Sequence, residues 1–172
     1  LKGDASAQNN LGSMYYYGEG VEKDSKKAFV WYEKAASQGF ADAQYNLGVM
    51  YDKGEGVEKD SKKAIEWYEK AASQGLAIAQ FSLGLMYDKG EGVKKDIKKA
   101  FEWYEKAASQ GLAEAQYKLG LMYDVGEGVE KDSKKAFEWY EKAASQGFAD
   151  AQYILGIMYD VGEGVKKDIK KA

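Results

Sequence analysis

Three groups of residues in this chain have types and spacings that chemistry uses. Asp52, Glu55 and Asp60 bring three carboxylates into one short stretch, the oxygen-rich setting that a hard cation prefers. The run GEGV at 18–21, 54–57, 90–93, 126–129 and 162–165 resembles a phosphate-cradling turn, and KKDIKK at 94–99 and 166–171 gathers lysines as a polyanion site does. Each reading fails on its own pattern. The acids do not keep the spacing of an EF-hand loop, GEGV lacks GxGxxG and any lysine–hydroxyl pair and follows a helix instead of a strand, and an aspartate splits the lysines at a helix start. A repeated turn and a solvated face account for them. Neither His nor Cys occurs among the 172 residues, which removes the commonest general base, the commonest metal ligand and the thiol nucleophile. What remains is carboxylates and lysines copied along the chain as surface charges, and an active site is seldom multiplied that way. The sequence therefore predicts no enzyme, no cofactor and no metal.

The elements carrying these residues are copies of one unit. Trp31, Trp67, Trp103 and Trp139 recur every 36 residues, and the copies occupy 5–40, 41–76, 77–112 and 113–148, with a partial one at 149–172. Such self-similarity marks a solenoid in which each unit packs only on its neighbours, so 1–172 reads as one array. The opening LKGDASAQNNLG aligns with the later SQGFADAQYNLG, and the fifth copy stops where its second helix is due; the expectation is a segment of a longer array. The net charge of −3 comes from 25 basic and 28 acidic residues interleaved along each copy, which leaves no footprint for nucleic acid. No apolar run approaches the roughly 20 residues of a spanning helix. With no cysteine the redox compartment is not legible, and neither is the localisation.

Within one unit, Ala43, Leu47, Met50 and Gly54 recur at helical spacing and predict a first helix, A, over 41–53. Glycines in the following DKGEGV supply the reversal. Asp60 stands where an N-cap belongs, and helix B runs from Ser61 to about Gln74 with Ala64, Trp67, Tyr68, Ala71 and Ala72 on one apolar face. Glu66 and Lys70 offer an i,i+4 ion pair on the other face, and Gly75 followed by Leu76 reads as a left-handed C-cap. Gly48, Gly84, Gly120 and Gly156 sit in mid-helix, where glycine costs about 1 kcal/mol relative to alanine. Close approach of the bulky Trp and Tyr of helix B offsets that cost.

The pattern AxAQxxLGxMYxxGEGVxKDxKKAxxWYEKAASQG resembles the Sel-one-like repeat, a relative of the tetratricopeptide repeat, over essentially the whole chain. The resemblance implies an all-α fold, a right-handed α/α superhelix of antiparallel helix pairs, with helix A lining a concave surface that binds proteins or peptides. It implies an adaptor or scaffold, of the kind found in bacterial host interaction and secretion and in endoplasmic-reticulum quality control. One bacterial branch is stapled by disulfides and linked to β-lactam binding; this chain lacks those cysteines.

Columns that differ between copies are those the common packing does not dictate. In helix A they fall at steps of four, three and four residues and so form one stripe. It reads Asp42, Asn46, Val49, Lys53 in the second copy, then Ile78, Ser82, Leu85, Lys89, then Glu114, Lys118, Leu121, Val125, with Ser6, Asn10, Ser13, Tyr17 before them and Asp150, Ile154, Ile157, Val161 after. The candidate peptide groove comprises Asn46 through Val125 of this series, for a protein or peptide partner. Two other readings stand beside it: Val49, Leu85, Leu121 and Ile157 complete the packing between adjacent A helices, and Tyr45, Phe81, Tyr117 and Tyr153 pack in the core or between units, with a stacking or anchor role as the alternative. The runner-up for the whole chain is a structural or idealised solenoid without a groove ligand, associating head to tail through the array ends.

Overall fold

A computed structural model describes residues 3–162 and residue 164. Among the described residues there are nine helices and no strand: α1 (Ala5–Tyr17), α2 (Ser25–Ala36), α3 (Ala41–Lys53), α4 (Ser61–Ser73), α5 (Ala77–Lys89), α6 (Ile97–Ser109), α7 (Ala113–Val125), α8 (Ser133–Ser145) and α9 (Ala149–Val161). Each helix packs on the next, so the odd-numbered A helices and the even-numbered B helices alternate along an α/α solenoid. The second KKDIKK run and the expected start of a fifth B helix lie outside the described residues.

The caps explain why the helices begin and end at these residues. Asp60 accepts from the amides of Lys62 and Lys63, both at 3.1 Å, and Asp24, Asp96 and Asp132 cap the other B helices in the same way. Each B helix closes with paired backbone bonds. In α4, Gly75 N donates to Ala72 O at 3.0 Å and Leu76 N to Ala71 O at 3.3 Å, with Gly75 at φ 88°. Gly54 is not part of the buried face of α3 but its left-handed cap, φ 73°. The adjacent Gly56 explains why GEGV does not vary: a Cβ there would lie 2.3 Å from Ser25 O at the start of the preceding unit's B helix. The loop is an inter-unit contact that only a bare backbone can make.

The core is small residues and rings in layers. Ala43, Leu47, Met50, Ala64, Tyr68 and Ala71 are buried, and their equivalents recur in the next units. Burial of each leucine contributes about 1.5–3 kcal/mol. The mid-helix glycines receive tyrosines alone: a Cβ on Gly48 would lie 2.5 Å from Tyr68 Cδ1, and Gly84 and Gly120 face Tyr104 and Tyr140 likewise. Trp67 goes elsewhere, half-buried against the cluster formed by α2 and α3. Lys70 does not pair with Glu66; its ammonium lies 3.8 Å from the centroid of the Trp67 ring. The same stacking recurs at Lys34, Lys106 and Lys142. A cation over an indole face at i,i+3 gains about as much as an exposed ion pair, and it also covers the ring.

Candidate binding surface

The A helices turn their variable stripe to the outside of the core, and its residues divide by depth. Asn46, Val49, Ile78, Ser82, Leu85, Lys118 and Leu121 are half-buried; Lys53, Lys89, Glu114 and Val125 are exposed. The half-buried apolar members also pack. Val49 lies against the cluster of α4 and α5, Leu85 against that of α6 and α7, and Leu121 and Ile154 against that of α8 and α9. They therefore complete the junction between units while keeping an outer edge in solvent. Lys53, Lys89 and Lys118 form no ion pair among the described residues.

In the second, third and fourth copies each ring of the aromatic column meets the B-helix tyrosine of its own unit and lies against a core cluster shared with the next A helix. Tyr45 meets Tyr68 with ring centroids 5.7 Å apart, Phe81 meets Tyr104 at 5.6 Å and Tyr117 meets Tyr140 at 5.9 Å, the offset, tilted geometry that rings favour. Tyr153 is 72% exposed. In the first copy Asn9 takes this place and accepts from the Asn46 amide at 3.1 Å, so a polar bridge between α1 and α3 replaces the ring.

That first copy departs from the others at several positions at once, and there a cavity of about 220 Å³ opens between α1 and α3. Tyr16, Tyr17, Tyr32 and Tyr45 wall it, Val49 and Met50 form apolar floor, and Asn46 and Lys53 supply a polar edge. Later copies carry Asp and Lys or Val where this one has Tyr16 and Tyr17. The Tyr16 hydroxyl donates to Glu55 and that of Tyr32 to Ser13 Oγ at 3.1 Å. Burial holds the phenols of Tyr16, Tyr32 and Tyr45 above the ordinary tyrosine range; the hydrogen bond to Glu55 adds to this at Tyr16, while Ser13 and Ser82 partly oppose it at the other two. Those three phenols are uncharged at neutral pH. The stripe reading reached Tyr17 but passed over Tyr16 and Tyr32. The signal was the YYY of 15–17, standing where later copies read YDK or YDV.

Sequence reasoning also gave no role to the glutamines. Gln74 Nε2 donates to Gln44 Oε1 at 2.7 Å, Gln44 Nε2 to Ala36 O at 3.4 Å, and the pattern recurs at Gln110, Gln80 and Ala72 and at Gln146, Gln116 and Ala108. Each relay ties the end of one B helix, the next A helix and the following B helix. A polar residue kept in every copy within an apolar face was the sign available. Among the described residues no cluster of His, Cys, Asp or Glu is placed to hold a metal, and no helix is long and apolar enough to cross a membrane.

Comparison with known proteins adds to this picture. The Sel1 repeat model matches residues 5–40, 41–76, 77–112, 113–148 and 149–172. A protective antigen of uropathogenic Escherichia coli with an SLR fold superposes with a TM-score of 0.94 at 42% identity, over 97% of this chain and 36% of the antigen. A Sel1 repeat protein of Oxalobacter formigenes gives a TM-score of 0.90 at 41% identity, over 99% of this chain and 68% of its own. An immunity protein of Pseudomonas aeruginosa gives 0.63 at 32% identity, over 91% of this chain and 58% of its own. Among curated proteins the sequence finds no significant match.

Proposed function

The chain belongs to the Sel1 repeat family, and on that premise we propose that its A-helix stripe is the docking surface for a peptide or protein partner. Sel1 repeat proteins generally serve as protein-interaction scaffolds, and the repeat is a non-catalytic fold. The observation that carries the placement is that variation between copies concentrates on one face of helix A, over a frame of Ala, Leu, Gly, Met, Tyr and Gln that scarcely changes. Packing alone does not demand Lys53, Lys89, Glu114 or Val125, which are exposed.

Peptides selected from a random library on this chain test the placement. In the variant Lys53→Glu, Lys89→Glu, Leu121→Asp, their affinity falls about tenfold or more, a loss of about 1.4 kcal/mol. Undiminished affinity in a variant with intact helical circular dichroism would place the partner elsewhere. A second reading is head-to-tail association between chains, for which α9 carries the apolar stripe residues Ile154, Ile157 and Val161. Light scattering across concentration tests it, a strict monomer being the result that excludes it.

A further inference from the structure

The last residue of the A helix occupies the same place in each of the four complete units, and along them this row reads Tyr17, Lys53, Lys89, Val125, with Val161 following at the end of α9. A lysine there complements the negative end of the helix dipole. Yet α1 and α7 close without one, so the dipole does not dictate the row. All four residues are exposed, Tyr17 at 66% and Val125 at 65%. Tyr17 and Lys53 both line the tyrosine-walled cavity, whose volume of about 220 Å³ exceeds the roughly 150 Å³ that accommodates benzene in a protein interior. Its walls suit one aromatic ring. The two lysines have no ion pair among the described residues, while Glu55 beside the cavity is engaged by the Tyr16 hydroxyl.

We propose that this row and cavity receive an extended acidic peptide segment that seats an aromatic side chain between α1 and α3, sets carboxylates against Lys53 and Lys89, and ends on an aliphatic residue at Val125. The inference rests on the A-helix docking surface proposed above and names the chemistry of its occupant. Each A helix packs chiefly on the B helices beside it, so the spacing is part of the proposal: an extended chain advances roughly 3.3 Å per residue, and contacts three residues apart carry it about 10 Å from one unit to the next. The charge order supplies the direction of the motif across the units: aromatic, acidic, acidic, aliphatic.

The probe is a fluorescent ten-residue peptide with phenylalanine first, glutamate fourth and seventh and leucine tenth, serine and glycine elsewhere, together with the same sequence reversed. Fluorescence polarisation on the full chain is expected to show saturable binding of one of the two. Alanine for phenylalanine weakens it about tenfold, as does Lys53→Glu with Lys89→Glu, and lysines in place of the peptide's glutamates restore binding to that double variant. Tyr17→Ala, a change at an exposed site, weakens the phenylalanine peptide and leaves the alanine peptide unaffected. No binding of either peptide, or equal binding to the chain and its charge-reversed variant, overturns the inference. Should library peptides still lose affinity on substitution of Leu121 while these probes fail, the docking surface stands and only the named occupant is wrong.

Discussion

At the scale of single residues, the tyrosine of each B helix has one ring environment and several hydroxyl environments. The ring covers the glycine of helix A in every complete unit. The hydroxyl is donated by Tyr32 to Ser13 and by Tyr104 to Asp88 Oδ2 at 3.3 Å, whereas that of Tyr140 is buried without a partner among the described residues. A buried polar group without a hydrogen bond carries its desolvation cost uncompensated. Tyr104→Phe is therefore expected to destabilise the chain by about 0.5–1.5 kcal/mol, and Tyr140→Phe to leave stability unchanged or raise it by up to about 1 kcal/mol. Urea denaturation of the two variants measures the difference, and equal losses would contradict it.

At the scale of elements, the junction between units is set by glutamine as much as by apolar contact. Gln80 is 6% exposed and holds both the Ala72 carbonyl and the Gln110 amide. Gln80→Leu strips both partners and is expected to cost about 1–3 kcal/mol, while Gln110→Ala, at an exposed site, costs less than about 1 kcal/mol. The shift in the urea midpoint at unchanged slope reports each. Much at this scale was legible in the sequence. The period, the helix spans, the aspartate N-caps and the glycine closures depend on local backbone chemistry, which one unit contains in full. What was not legible depended on which neighbour a side chain meets. Trp67 and Tyr68 are consecutive and apolar, so spacing places both on the buried side and cannot show that Tyr68 enters its own unit while Trp67 reaches back to the preceding one. Lys70 had Glu66 and Trp67 within reach on the same helix, and the ring won. Hydrophobic patterning does not register a glutamine at all. Of the candidate surface, the stripe was readable as variation, but the cavity at its head was not, since it forms where the first copy's Tyr16 and Tyr17 face residues of the next unit.

At the scale of the molecule, stability depends on many phenols kept neutral. Burial is the leading cause that raises Tyr16, Tyr32, Tyr45, Tyr68, Tyr104, Tyr117 and Tyr140, and it is reinforced by Asp52 at Tyr68, Asp88 at Tyr104, Asp150 at Tyr117 and Asp124 at Tyr140. In the unfolded chain tyrosine titrates near about 10. Above that pH the unfolded state releases protons that the folded state still holds, so this contribution is intact below about pH 10 and falls as pH rises toward the folded values. Alkaline titration is expected to show tyrosinate absorbance of the buried rings rising together with loss of helical circular dichroism. Ionisation of these rings in a chain that stays folded would contradict the assignment.

The glutamine relay has a consequence for heredity. Gln44 reaches back to Ala36 as Gln80 does to Ala72 and Gln116 to Ala108, so every boundary presents the same partners on both sides. Excision of 77–112 would bring Gln116 to Ala72 with no new interface to evolve. Gain or loss of one whole unit therefore leaves each glutamine relay intact. Array length can thus drift or be selected independently of the fold, and with it the reach of the surface the array presents.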